Sequence, residues 1–233
     1  MDDGLINYVE GCLDALLRAR RLGTLAPEDE ATIDRLQDLL TRLPRMMRAP
    51  HAVLMTALPG AGKTWLAQAL SAHGLARLCP DDEMYRRHGK RGRDFPRSQY
   101  LVLERAVLDD VAVQFRELLT AGTDVVLDHG LWTRVERAMW RALAEEAGAL
   151  PLLVYLPVPH DVRWARIQER NRHDRTIPAE FDEQDLLRYA TRFHPPGDDE
   201  PHLVYDGRPE TVVSALCAFS DGQADRTDTT SNE

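Results

Sequence analysis

The chain has 233 residues, of which 43% are hydrophobic and 29% are charged, and its formal net charge is −9. This composition is typical of a globular protein with one sizeable core, and the negative charge argues against a generic nucleic-acid coat or a membrane-surface protein.

Three widely spaced cysteines, Cys12, Cys79 and Cys217, form no Cys-x-x-Cys pair. This argues against a disulfide framework or a zinc site and predicts reduced thiols in a cytoplasmic protein.

The amino terminus lacks a basic flank and a long apolar run, so we expect no secretory signal. We also expect no membrane contact, because no apolar segment is long enough to span a bilayer.

Two amphipathic helical patterns come first in the chain. Their apolar positions are Leu5, Ile6, Val9, Leu13, Leu16 and Leu17, then Ile33, Leu36, Leu40 and Leu43. Pro27 with the acidic residues after it is typical of a helix start, and Pro44 and Pro50 bracket a predicted connector. We therefore predict an N-terminal helical hairpin over residues 1–48. A dimer contact on its apolar faces is the alternative to plain packing, and the oligomeric state stays open.

Residues 57–64, Ala-Leu-Pro-Gly-Ala-Gly-Lys-Thr, have the pattern of a phosphate-binding loop. They lie between an apolar run over 51–56, predicted as a buried strand, and a helical pattern that begins near Lys63. Glycines let backbone N–H groups approach a polyphosphate, Lys63 would reach its outer phosphates, and the Thr64 hydroxyl would ligate Mg²⁺. Ala57 stands where the usual pattern has glycine, a departure that a small side chain can accommodate. The predicted nucleotide-binding residues are Pro59, Gly60, Ala61, Gly62, Lys63, Thr64 and Trp65.

Beyond this loop, short apolar runs alternate with helical patterns. The predicted strands cover 75–79, 125–127, 152–156 and 202–205, and the predicted helices cover 82–88, 101–119, a segment through 135–143, 161–172 and 209–219. Strands that are apolar throughout are typical of a parallel sheet covered on both faces. We therefore predict an α/β fold, a three-layer P-loop NTPase sandwich over residues 51–220. The polar segment 221–233 is predicted to be a disordered tail.

Ligands of such sheets lie beyond the carboxyl ends of the strands, and acidic residues follow two of these strands. Asp128, with His129 beside it, follows residues 125–127 and is predicted to help hold magnesium; the alternative is a cap for the next helix. Asp81 and Asp82 follow residues 75–79. Either could accept a proton from an attacking hydroxyl, or could merely cap a helix.

Two groups of basic residues complete the pattern. The first group is a set of five arginines on and after one predicted helix. Its members are Arg163, Arg166 and Arg170, which share one face of the helix, and Arg172 and Arg175, which follow them. These arginines could neutralise charge on a transferred phosphoryl group, or they could form a solvated surface. Residues 86–97 hold six lysines and arginines, which could grip an anionic substrate or form a solvated loop.

Together these segments resemble the small P-loop kinases of the zeta-toxin, chloramphenicol-phosphotransferase and polynucleotide-kinase kind, and the AAA-type ATP-binding proteins grouped with them. The resemblance covers roughly residues 51–220. It implies that ATP and Mg²⁺ bind across Lys63, Thr64 and Asp128. By position, the resemblance implies that Asp81 is the general base, and Asp82 is the alternative. The predicted substrate contacts are Asp82, Arg86, Asp128 and His129, and the predicted lid arginines are Arg166, Arg170 and Arg175.

The resemblance predicts an enzyme that moves the terminal phosphate of ATP to the hydroxyl of a small molecule, such as a metabolite, nucleoside or antibiotic. Two alternatives stay open: a polynucleotide 5′-hydroxyl kinase, which would bind nucleic acid through residues 86–97, and a nucleotide-binding switch with no acceptor. The choice between ATP and GTP also stays open.

Overall fold

The computed structural model describes residues 3–173 and 182–227. The chain divides into two compact units, Met1–Ala49 and Pro50–Glu233. In the first unit, α1 (Asp3–Arg21) packs against α2 (Glu30–Met47) and forms the predicted hairpin. A 3-10 turn at Pro27–Asp29 directly precedes α2. The connector predicted from Pro44 onward is wrong, because α2 continues through this residue. Proline removes one helical hydrogen bond, and α2 continues for another turn without it.

A five-stranded parallel sheet forms the centre of the second unit. Its strands are β1 (His51–Thr56), β2 (Ala76–Leu78), β3 (Val125–Leu127), β4 (Leu150–Tyr155) and β5 (Leu203–Val204). Their order across the sheet is β2-β3-β1-β4-β5. The central strand β1 is buried throughout and pairs with β3 and β4, with Ala52 opposite Val125 and His51 opposite Leu150. The carboxyl ends of all five strands therefore meet at one edge.

Helices connect the strands and cover the sheet. They are α3 (Lys63–Ala72), α4 (Pro80–His88), α5 (Tyr100–Thr120), α6 (Arg134–Glu146), α7 (His160–His173), α8 (Glu183–Ala190) and α9 (Pro209–Thr227), with a 3-10 turn at Arg97–Gln99. The sequence pattern did not predict α8. The tail predicted to be disordered from Asp221 is helical as far as Thr227, because extending a helix that is already formed costs little. Residues 228–233 lie outside the described part of the chain.

Side chains of the strands alternate between two apolar layers. On one face, Leu54 and Leu127 belong to a cluster with Phe115 of α5 and Trp140 of α6, whose rings meet edge to face at 5.1 Å. On the other face, Met55 and its neighbours pack with residues of α3 and α9. The predicted three-layer α/β fold is thus confirmed.

A buried ion pair fixes the segment before β5. Arg137 of α6, only 1% exposed, donates from Nε and Nη2 to the two carboxylate oxygens of Glu200, each at 2.7 Å. Its Nη1 donates to the His194 carbonyl oxygen at 2.8 Å, and the His194 N–H donates to the Trp132 carbonyl oxygen. These hydrogen bonds connect His194 and Glu200 with α6 and the segment before it, and the two between Arg137 and Glu200 are charge-assisted.

Candidate functional site

The loop from β1 to α3 has the tight glycine-dependent path that its sequence predicted. Gly60 and Gly62 adopt positive φ angles of 81° and 99°. A Cβ atom at Gly60 would come within 2.7 Å of the Arg163 carbonyl oxygen, so only glycine fits there. Ala57 is fully buried and has no positive φ, which explains why alanine can replace the usual glycine.

Lys63 lies folded across this loop. Its ammonium donates to the carbonyl oxygens of Ala57 at 3.4 Å and Leu58 at 3.3 Å. Burial lowers the pKa of Lys63, although the charges of Asp81 and Asp128 act in the opposite direction. Within the described segments its hydrogen bonds go to these carbonyl oxygens, and such an ammonium would gain from an anionic partner, as expected of a phosphate-binding lysine.

Asp128 connects the loop with the neighbouring strands. Its Oδ1 lies 3.4 Å from Oγ1 of Thr64, while Arg77 of β2 donates to its Oδ2 from Nε at 2.9 Å and from Nη2 at 2.6 Å. Partial burial alone would lower the pKa of Arg77, but the hydrogen bond to Asp128 raises it above its ordinary value. The helix that follows is capped by Thr133 with Glu136, so capping is not the role of Asp128.

The pair Thr64 and Asp128 suits a magnesium ion that is completed by phosphate and water. Among the described residues, no group of three or more His, Cys, Asp or Glu side chains could hold a metal on its own. Mg²⁺ is commonly bound by one or two protein oxygens together with substrate phosphates. The residues present therefore fit a metal that arrives with a nucleotide.

Asp81 and Asp82 have different surroundings in the structure. Both lie in the first turn of α4, where neither caps the helix through its side chain. Asp82 accepts a hydrogen bond from Nη1 of Arg77 at 2.8 Å. Asp81 instead lies in the electrostatic range of Lys63 and of Tyr100 on α5. Of the two carboxylates, Asp81 is thus the one whose charge acts on Lys63 of the phosphate loop.

A second carboxylate borders Asp81. Glu104 accepts a hydrogen bond from the Tyr100 hydroxyl at 3.0 Å, and Arg91 lies over the Tyr100 ring at 4.7 Å from its centroid. Burial raises the pKa of Glu104, with the negative charge of Asp81 adding to this rise and the Tyr100 hydrogen bond and the half-buried His129 opposing it. Burial also raises the pKa of Tyr100. Tyr100, Glu104 and His129 thus form a polar wall, and the charge of Asp81 acts on Tyr100 and Glu104.

The four arginines of α7 have different environments. Arg163 is buried beneath the phosphate loop. Arg166 is exposed, and its Nη1 lies 3.4 Å from the Gly60 carbonyl oxygen and 3.3 Å from that of Ala61. Arg170 lies near enough to Lys63 to lower the pKa of that lysine. Arg172 pairs with Glu169 at the surface. Arg175 lies outside the described residues.

Much of the basic segment 86–97 is neutralised by its own neighbours. Arg86 and Arg87 both bond Glu83 and lower its pKa to about 2, and Arg87 also bonds Asp110. Arg93 pairs with Asp94. Arg86 shares a groove with Arg77 and Asp82 between β2, α4 and α5. The segment therefore does not present six unpaired cations to a ligand.

Three contributors to the site were not predicted from the sequence: Arg77, Tyr100 and Glu104. Arg91 lies in the basic segment 86–97, which the sequence did indicate. Arg77 offered one signal, because a charged residue is unusual inside an otherwise apolar parallel strand. Tyr100 and Glu104 follow the loop after α4, which contains a short parallel bridge between Arg91 and Phe95. No local pattern predicts the path of this loop.

In the part of the chain that the structure describes, no helix has the length and apolarity to cross a membrane.

Comparison with solved structures identifies proteins of the same fold. A candidate kinase from Chloroflexus aurantiacus J-10-fl has a TM-score of 0.60 and 18% identity, over 76% of this chain and 98% of that one. A gluconokinase from Sinorhizobium meliloti 1021 has a TM-score of 0.51 and 16% identity, over 79% and 99%. Kti12 from Chaetomium thermophilum, in complex with ADP-AlF3, has a TM-score of 0.53 and 16% identity, over 72% and 97%.

These neighbours confirm the predicted resemblance to small P-loop kinases. No curated protein matches the sequence. The domain family described as "AAA domain" matches residues 53–196, which is more than half of the chain. The phosphate loop, Asp128 and the arginines of α7 all fall within that match, and the chain belongs to the AAA-domain family.

Proposed function

We propose that this protein is a kinase that transfers the terminal phosphate of ATP to a hydroxyl group of a small molecule. The observation that carries the proposal is the convergence of Lys63, the Thr64–Asp128 pair and Asp81 at one edge of the sheet. A cation for the phosphates, oxygens for a metal and a carboxylate for a hydroxyl are the parts that phosphoryl transfer requires.

Nucleotide binding rests on the loop and the cations around it. Backbone N–H groups at the start of α3 would hold the phosphates, with Lys63 turning from the loop carbonyl oxygens towards them. Thr64 and Asp128 would hold Mg²⁺, which when bound neutralises charge on the phosphate oxygens. Arg166, which lies over the loop, and Arg170 would neutralise further charge on the phosphoryl group.

Asp81 is the proposed general base. Its charge acts on Lys63, whereas Asp82 accepts a hydrogen bond from Arg77, so Asp81 is the better candidate to accept a proton from an acceptor hydroxyl. The wall formed by Tyr100, Glu104 and His129 would orient that acceptor through further hydrogen bonds. Asp82 and Arg86 share the groove behind it and are proposed to bind substrate from that side.

The small-molecule acceptor is favoured over a polynucleotide because of the charge distribution. Binding of a nucleic-acid backbone needs several unpaired cations, yet Arg86, Arg87 and Arg93 are paired with carboxylates. One solved structure of similar fold, with a TM-score of 0.52, 18% identity and coverage of 44% of its own chain, is described as a Pnkp1/Rnl/Hen1 RNA repair complex. A polynucleotide 5′-hydroxyl kinase is therefore the second candidate function.

The test is transfer of label from the terminal phosphate of ATP, with Mg²⁺, to separate pools of sugars, nucleosides, aminoglycosides and short RNA. We expect a labelled product in one small-molecule pool. Product only with RNA, sensitive to salt, would favour the polynucleotide kinase. ATP binding without product in any pool would favour a nucleotide-dependent switch.

A further inference from the structure

A small cavity lies next to the phosphate loop, on the side of β4. Its volume is about 250 Å³. Its walls include Leu58, Tyr155, Val158, Arg163 and Phe193. Most of these side chains are apolar, and the Tyr155 and Phe193 rings stack with their centroids 6.1 Å apart. Phe193 directly precedes His194, which is held by Arg137 and Trp132, so this wall is firmly placed.

One cation lines this cavity, and it is incompletely bonded. Arg163 is only 5% exposed. Its Nε donates to the Val158 carbonyl oxygen at 3.1 Å, whereas its buried Nη1 has no hydrogen-bond partner within the described segments 3–173 and 182–227. Burial lowers the pKa of this guanidinium. A buried donor without an acceptor is costly, and a bound anion would remove that cost.

The cavity is separate from the acceptor site proposed above. Asp81 follows β2 and the cavity adjoins the end of β4, and these strands are three positions apart in the sheet. At the usual spacing between strands, three positions amount to about 14 Å. The phosphate loop, which follows β1, lies between the two. A small acceptor held at Asp81 therefore does not fill this cavity.

The size and walls of the cavity define what it can take. Sites for drug-sized ligands usually exceed about 300 Å³, so this one suits a smaller molecule. One guanidinium matches the single charge of a carboxylate and offers it a fork of donors, whereas a phosphate dianion would need further cations. We propose that this cavity is a second binding site, which takes a small monocarboxylate with an apolar body and pairs the carboxylate with Arg163.

Thermal unfolding of the full chain tests this proposal, with benzoate and 3-methylbutanoate as probes and their amides as neutral controls. At ten times the Kd, we expect a carboxylate to raise the Tm of the wild-type protein by about 3 °C, and the matching amide to have no effect. Arg163→Met keeps the length of the side chain but removes the donors, and it should abolish the shift. Arg172→Met, on the same helix but at the surface, should keep it.

A second variant covers the case in which Arg163→Met does not fold. Val158→Phe leaves the guanidinium in place and fills the cavity from another wall, so it should also abolish the shift. No shift of the wild type with either carboxylate would overturn the proposal. The proposal would also be overturned if a carboxylate raised the Tm of wild type and Val158→Phe equally, or if a carboxylate and its amide raised the Tm of the wild type equally. Because no phosphate transfer is measured, this result is independent of the proposed kinase reaction.

Discussion

Oδ1 of Asp128, at the end of β3, lies 3.4 Å from Oγ1 of Thr64, in the first turn of α3. The two residues are 64 positions apart in the sequence, and the pairing of β1 with β3 brings them together. Arg77, from the next strand, holds the other oxygen of Asp128. Three adjacent strands thus fix the orientation of the carboxylate that we assign to magnesium.

Replacement of Thr64 should uncouple nucleotide binding from the metal. In Thr64→Val the hydroxyl is lost, so we expect affinity for ATP with Mg²⁺ to fall about tenfold, roughly 1.4 kcal/mol. Calorimetric titration in Mg²⁺ and in EDTA measures both conditions. Thr64→Ser retains the hydroxyl and should bind as wild type. An equal loss in EDTA would mean that Thr64 acts on the loop rather than through a metal.

Arg166 should affect turnover more than folding. Its guanidinium lies over the carbonyl oxygens of Gly60 and Ala61 at an exposed position, so Arg166→Met should leave Tm unchanged. We expect kcat to fall about 100-fold, because a cation beside the transferred group is lost. Arg172→Met is the matched control, since Arg172 lies on the same helix and pairs with Glu169 at the surface. Similar kcat values for the two variants would exclude the proposed role.

Gly60 is predicted to be sterically irreplaceable. Gly60→Ala and Gly74→Ala both place a side chain at a positive φ, which costs about 1 kcal/mol in each. Only Gly60→Ala adds a clash, with the Arg163 carbonyl oxygen, whereas a Cβ at Gly74 meets nothing within 4 Å. We expect Gly60→Ala to lose a further 1–3 kcal/mol or so of unfolding free energy in urea. Equal losses would show that α7 moves away from the loop without cost.

Glu104 should make stability depend on pH. Burial raises its pKa above the ordinary value of 4.5, so in the window above 4.5 the folded state binds this proton more tightly than the unfolded state. The free energy of unfolding therefore falls as pH rises through that window. Glu104→Gln keeps an acceptor for the Tyr100 hydroxyl but cannot ionise, so we expect it to gain stability relative to wild type between pH 4.5 and 7.

Urea unfolding at pH 4, 5, 6 and 7 measures this difference. Glu117→Gln removes a carboxylate from an exposed position of the same helix and should show no such trend. A difference between wild type and Glu104→Gln that is constant with pH would contradict the assignment.

The phosphate loop and the strands were predictable because their signals are local. Residues 57–64 specify a backbone path, and β1 and β3 have the predicted bounds because they are short apolar runs buried on both faces. By contrast, the wall of Tyr100 and Glu104 depends on how residues 89–99 fold back onto α5. The different roles of Asp81 and Asp82 could not be predicted, because the two residues are adjacent and have the same sequence context. The structure distinguishes them through the hydrogen bond that Arg77 donates to Asp82.

In the proposed reaction, Asp81 accepts the proton of the attacking hydroxyl. The most direct measurement compares kcat and ATP affinity in wild type, Asp81→Asn and Asp82→Asn, with the acceptor found in the labelling experiment. We predict that Asp81→Asn binds ATP as wild type does while its kcat falls about 10²- to 10⁴-fold, and that Asp82→Asn keeps most of its turnover. Undiminished turnover in Asp81→Asn, or a larger loss in Asp82→Asn, would show that Asp81 is not the general base.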